Sequence, residues 1–185
     1  MYIDTSGKVG IGIAAPVSTT HIYENTTATD SSAGLTIEQA GTGDAILQFL
    51  ETGTQRWVVG LDNSDSDKFK ISSDGDLNSN ARLTIDTSGK VGIGNTSPDG
   101  TLHIQTATAG SITAPSTADD LVIEGSTTPG VSILMPNNGV GRYGFGVVED
   151  NDRAYMSYSH DVEKMFFGEI RTYVNTVATS FIMES

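Results

Sequence analysis

The sequence predicts an all-β fold, an elongated homotrimeric fibre in which β-hairpin stem repeats alternate with small antiparallel β modules. Three observations predict the all-β class and the alternation of stem repeats with modules. A motif of 20 residues occurs twice, at an offset of 82. Short runs of alternating apolar and polar residues recur at a spacing of roughly ten, divided by turn clusters. Only 37% of the 185 residues are apolar and 21 are glycine, with Ser, Thr, Asn and Asp filling much of the rest. Glycine costs a helix backbone entropy, and Ser, Asn and Asp compete locally for its backbone hydrogen bonds, so strands and turns are favoured.

The first element, stem repeat 1, covers residues 1–23, and its counterpart, stem repeat 2, covers 85–104. Residues 3–12 read IDTSGKVGIG, and residues 85–94 read the same. Pro16, Thr19, His21 and Ile22 then match Pro98, Thr101, His103 and Ile104, giving 14 identities in 20 positions. In the second copy Arg82–Asp86 alternates with the period of a half-buried strand, and Lys90–Gly94 alternates again. Between them Thr87-Ser88-Gly89 is a turn signal, with Gly89 free to take positive φ. The prediction is a β-hairpin with a three-residue loop. Val91 and Ile93 share one face, Gly92 and Gly94 the other, and a glycine face admits close approach by another chain or strand. Pro98 ends the pairing for want of an N–H, and Thr101–Ile104 resumes an extended path.

Module 1, residues 24–84, holds alternating runs at 34–38, 45–50, 57–61 and 68–72. Module 2, residues 105–185, holds them at 121–124, 131–135, 143–148, 154–158 and 164–167. Its end, Phe181–Ser185, reads like the Leu83–Thr87 that opens the motif, so a third hairpin and a longer array are expected beyond it. The modules are related loosely: Leu35, Ile37 and Glu38 answer to Leu121, Ile123 and Glu124, and Ile46-Leu47 to Ile133-Leu134. Gly53, Arg56, Trp57 and Gly60 answer to Gly139, Arg142, Tyr143 and Gly146. One such hairpin buries too little apolar surface to stand alone. Identical chains lying side by side would supply a common core. A homotrimer about a threefold axis, with Val9, Ile11, Val91 and Ile93 near that axis, is the leading arrangement, and periodicity alone does not separate three copies from two.

Ten Lys and Arg against 23 Asp and Glu give a net charge of −13. So acidic a surface repels phosphate backbones and anionic lipid, which argues against nucleic-acid and membrane-surface partners. No apolar run approaches the ~18 residues of a membrane span, so membrane insertion is not expected. There is no cysteine, which excludes disulfides, thiolate metal sites and Cys nucleophiles. A disulfide-free extracellular chain draws its stability from elsewhere, and oligomerisation is one source. Met1-Tyr2-Ile3-Asp4 lacks the basic and apolar regions of a signal peptide. Release by lysis inside a virion would account for an extracellular location.

The string Gly89 to Gly94, followed by Ser97-Pro98 and Thr101-Leu102-His103-Ile104, resembles the recurrent motif of bacteriophage tail-fibre and tailspike shafts. That motif often stands upstream of an endosialidase-type intramolecular chaperone domain. The first copy departs from it, with Ala14-Ala15-Pro16 and with Thr20 in place of leucine. The resemblance implies a homotrimeric, intertwined β fibre facing outward on a virion, and a structural and adhesive role is expected; with no nucleophile–base constellation legible in the sequence, an enzyme is not expected. Its partners would be its own copies and a host-surface glycan or protein. Two readings compete. A tailspike-like glycan depolymerase would need a groove with two carboxylates, typically on a longer β-helix. A bacterial surface adhesin repeat would need an export signal or anchor in its flanks.

Candidate sites are few. His21 and His103 occupy equivalent repeat positions and could ring an axis to bind an anion or metal, or simply be half-buried strand residues. Asp62 to Asp67 has the oxygen density of a calcium loop but lacks the sixth-position glycine and distal glutamate of an EF-hand. It and Glu149 to Asp152 read as solvated hairpin tips. Trp57, Tyr155, Tyr158 and Phe166 could stack on sugars. Trp57 aligns with Tyr143, which favours a structural role for both, and Tyr155 and Tyr158 must face opposite sides of a strand. No P-loop or dinucleotide fingerprint is present. No catalytic, cofactor or metal residue is assigned, no cofactor is expected, and no receptor-binding residue is identified.

Overall fold

The computed structural model describes residues 1–25, 27, 34–53, 55–148 and 150–169. The third hairpin expected from Phe181–Ser185 lies outside them. The described chain is all-β, with one 3-10 turn at Asn63–Asp65. It divides into two compact units, residues 1–129 and 130–185.

The first unit holds two sheets. The smaller has β1 (Tyr2–Ile3), β2 (Val9–Ile11) and β3 (Thr20–Ile22). The larger has β4 (Ala45–Glu51), β5 (Gln55–Asp62), β6 (Lys68–Ser72), β7 (Ala81–Ile85), β8 (Val91–Ile93), β9 (Leu102–Gln105) and β10 (Leu121–Glu124). Its seven strands stand in chain order from one edge to the other. The second unit is an antiparallel sheet of β11 (Val140–Val147), β12 (Asp150–Ser159) and β13 (Lys164–Glu169).

Both copies of the motif fold alike. Ile3 pairs with Val9 as Ile85 pairs with Val91, antiparallel in each case. In the second hairpin Gly89 N–H donates to the Asp86 carbonyl at 2.9 Å and takes φ +85°. This is the three-residue loop that the glycine position predicts. Asp86 Oδ1 accepts from the Ser88 and Lys90 amides at 2.8 and 2.9 Å, and Asp4 Oδ1 accepts from Ser6 and Lys8 at the same two distances. The aspartate thus satisfies two turn N–H groups that have no ladder partner.

The path then departs from a simple meander. β9 runs parallel to β8, with Gly92 opposite His103, just as β3 runs parallel to β2, with Gly10 opposite His21. The linking segment, residues 94–101, is shorter than the dozen or more residues of an ordinary parallel crossover. Glycine makes that possible. A Cβ on Gly92 would collide with the Asn95 carbonyl, and one on Gly10 with the Ile13 carbonyl. The glycine face is therefore closed by the chain's own returning backbone.

Two expected runs do not join a ladder. Residues 34–38 and 131–135 lie outside the strands, although their counterparts 121–124 and 45–50 are β10 and part of β4. The large sheet also runs without a break from module 1 through stem repeat 2 into module 2, because β6 through β10 are hydrogen-bonded in series. The boundary by contact falls at Pro129 and Gly130, a different partition from the repeat periods.

Candidate functional site

Side chains of directly opposed residues share a face of a sheet. Ladder register therefore sorts the large sheet completely. One row on its first face reads Ala45, Leu61, Phe69, Ile85, Val91, Leu102, Leu121, and the next reads Leu47, Val59, Ile71, Leu83, Ile93, Ile104, Ile123. Phe49 and Trp57 extend it, and Glu51 stands at its rim. Glu51 apart, these 16 positions are all apolar, and none is buried. Phe49 is 59% exposed, Leu61 50% and Trp57 39%.

The opposite face carries Ile46, Gly60, Lys70, Thr84, Gly92, His103 and Val122 in its corresponding row. Here the polar residues are the buried ones. Lys70, Thr84, His103, Asp62 and Ser72 are all at 1% exposure or less. Loops fold over this face. Asn78 donates to Ser64 Oγ at 2.7 Å, and the Lys90 ammonium donates to the Asp99 carbonyl at 2.7 Å. Among the described residues the buried apolar side chains are Val58 and Leu77, together with the prolines Pro16 and Pro98. A single chain of this fold covers its polar side and leaves its apolar side bare.

Lys70 anchors the covered face. Its ammonium lies 2.7 Å from Asp62 Oδ2 and 2.5 Å from Asp65 Oδ2. Asp62 caps the 3-10 turn, its Oδ1 accepting from Asp65 N–H at 3.1 Å and from Ser64 Oγ at 2.8 Å. Burial pushes the Asp62 carboxyl up, but the Lys70 ammonium, the Ser64 hydroxyl and the Asp65 amide outweigh it and hold it below the usual carboxylate range. Asp65 is held low in the same way by Lys70 and Lys68. Burial lowers Lys70, and the two carboxylates more than restore it, so its affinity for its proton rises. The sequence expectation for this loop needs correction. Asp62 is no solvated tip but a buried counter-ion, and the loop is a clamp over Lys70.

His103 sits farther along the same row. Its Nδ1 accepts from the Asp99 amide at 3.3 Å and lies 2.9 Å from Asn95 Nδ2. Nε2 is 3.0 Å from Glu124 Oε2 without hydrogen-bond alignment, so that contact is electrostatic. Glu124 accepts from Ala109 N–H at 2.5 Å and from Gln105 Nε2 at 2.6 Å. The Ala109 bond is the main cause that keeps its carboxyl low. His21, the repeat equivalent, is half-buried and accepts from Val17 N–H at 3.5 Å. The two histidines lie in different sheets.

In the second unit the pattern recurs. Tyr143, Met156 and Phe167 oppose one another, flanked by Tyr158 with Met165 and by Phe145 with Ala154. Phe145 is 64% exposed and Phe167 39%. Ile133 and Met135 lie against Gly141 beside a cleft of about 260 Å³ on this face. Tyr155 points to the opposite side, where the Arg142 guanidinium lies 4.4 Å from its ring centre. Tyr155 and Tyr158 therefore do face opposite sides, and Phe166 shares the Tyr155 side. Asp150 to Asp152 belong to β12, while Glu149 lies outside the described residues.

Trp57, Val59 and Leu61 answer in the repeat to Tyr143, Phe145 and Val147, so the bare face is the same one in both units. The sequence suggested aromatics at single points, and the register is what joins them into a surface. Among the described residues no group of three or more His, Asp or Glu side chains is placed to hold a metal ion. No family model matches the chain, and no curated protein is significantly similar to it.

Proposed function

We propose that the chain is a structural and adhesive segment of a homotrimeric fibre, with its bare sheet faces turned inward against identical copies. The observation that carries this is the inverted burial: 16 apolar side chains lie uncovered on one face while lysine, aspartate and histidine are enclosed behind the other. Seven of the 16 are more than a third exposed and nine are partly covered, so burying what remains contributes about 0.5–1 kcal/mol each, on the order of 10 kcal/mol per chain. That is of the same size as a cost of association of about 4–15 kcal/mol.

The likeness of the GKVGIG motif to phage tail-fibre shafts supports three copies and a place on the outside of a virion. In that setting the segment acts by contact and assembly, with no reaction of its own, and a host-surface glycan or protein is its outer partner. Light scattering coupled to gel filtration tests the reading. A mass near three times 19.4 kDa is expected. A compact, stable monomer would refute it.

A further inference from the structure

The two copies of the motif have matching ladders up to one point, where they part. β9 has its outer edge filled by β10, with Leu121 beside Leu102 and Ile123 beside Ile104. Among the described residues no strand pairs with the outer edge of β3, the equivalent of β9. The equivalent of β10 is nonetheless present in the sequence, as Leu35-Thr36-Ile37-Glu38 against Leu121-Val122-Ile123-Glu124. Leu35 is 67% exposed and Ile37 43%, outside any strand. An open edge and an unpaired segment of matching sequence are complementary, since each lacks the ladder bonds the other offers.

We propose that the open edge of β3 receives Leu35–Glu38 of a second copy as a fourth, parallel strand, with Leu35 beside Thr20, Ile37 beside Ile22, and the Glu38 carboxylate next to His21. The imidazoles support the register. The amide of Val17 donates to His21 Nδ1 as the amide of Asp99 donates to His103 Nδ1, so both rings are turned the same way. Nε2 of His21 then faces the edge where, in the other copy of the motif, Glu124 stands 3.0 Å from Nε2 of His103. The chain's own segment is poorly placed for the task. Gly34 N–H is held by the Glu24 carboxylate at 2.9 Å, which starts the segment beyond the last residue of β3. Leu121 instead stands beside the first residue of β9. Under cyclic symmetry each copy donates one segment and accepts one, and the exchange closes on itself.

This inference rests on the multi-copy reading above, and the test separates the two. The chain has no cysteine, so Thr20→Cys/Leu35→Cys under mild oxidation reports only the proposed neighbours. Expected is a covalent ladder on a non-reducing gel that closes at three chains, whereas Leu102→Cys/Leu121→Cys stays at one chain. Ile22→Cys/Ile37→Cys should repeat the ladder if the first pair disturbs folding. A disulfide confined to single chains, or none in a protein that still has the mass of several chains, overturns the strand exchange and leaves the assembly standing. A monomeric mass removes both. In the unaltered protein the amides of Leu35–Glu38 should exchange as slowly as those of β10, and free exchange would also overturn the proposal.

Discussion

Phe69 and Lys70 are neighbours in sequence and belong to opposite faces of β6, which makes them a matched pair of perturbations. Ordinary expectation would have Phe69→Asp ruin the fold and Lys70→Met tolerated. The structure reverses this. Phe69 is 37% exposed in the single chain, so a carboxylate there still reaches water and the sheet survives. In an assembly, the same substitution forfeits about 1 kcal/mol of burial per chain and adds a buried unpaired charge costing several kcal/mol more. Association should be lost. Lys70 is 1% exposed and neutralises Asp62, which is fully buried. Methionine keeps the volume but strands that charge, for a cost of about 3–5 kcal/mol. The assays are circular dichroism for the sheet, light scattering for mass, and urea titration for stability. Phe69→Asp should give a β-rich monomer, and Lys70→Met a lowered urea midpoint in every oligomeric state. If Phe69→Asp keeps its full oligomeric mass, or Lys70→Met leaves the midpoint unchanged, the assignment of the two faces is wrong.

Stability should also follow pH through the Asp62–Lys70–Asp65 cluster. The two carboxyls bind protons less tightly folded than unfolded, so their contribution is full above the ordinary carboxylate value of about 4 and fades as pH falls through the lower folded value. Lys70 holds its proton more tightly folded, so its contribution is full below about 10.4 and fades above it. Urea midpoints across pH 2 to 6 should show an acid slope that shrinks in Lys70→Met. Thr84→Val should raise stability by up to about 1–2 kcal/mol, because the buried Thr84 hydroxyl has no hydrogen-bond partner, and calorimetry would detect the gain. Asp86→Ala should cost about 1–2 kcal/mol by freeing two turn amides, read as faster amide exchange at Ser88 and Lys90. Gly92→Ala should cost more than a mid-strand Gly→Ala usually does, since its methyl meets the backbone carbonyl of Asn95, which no side-chain rotation relieves.

The hairpins were legible in sequence because their geometry is local. Gly89 fixes the left-handed position, Asp86 satisfies the turn, and both lie within five residues of each other. The face of each strand was legible too, since Lys68-Phe69-Lys70-Ile71-Ser72 alternates cleanly. What alternation does not tell is which face is covered. In a lone chain that depends on where the 73–80 and 94–101 segments fold, and these are turn residues with no hydrophobic period. Lys70 was missed for that reason. The one available signal was a lysine between Asp-rich turns, which sequence alone does not distinguish from a solvated charge. The parallel turn of β8 into β9 escaped notice because it rests on backbone clearance above Gly92, which has no signature beyond a glycine in a strand.

The large sheet places its strands in chain order, β4 through β10, without one transposition. Every ladder is therefore closed between segments adjacent in sequence, and none must wait for a distant partner. Such a sheet has low contact order, and it can grow rung by rung, even while the chain is being synthesised. Meeting another copy is a bimolecular event whose rate falls with dilution. The chain thus completes this sheet in advance of its assembly, and during that interval the apolar face is open to any sticky surface. A segment built in this way gains from being held near its siblings at the moment of folding, and it risks aggregation whenever they are scarce.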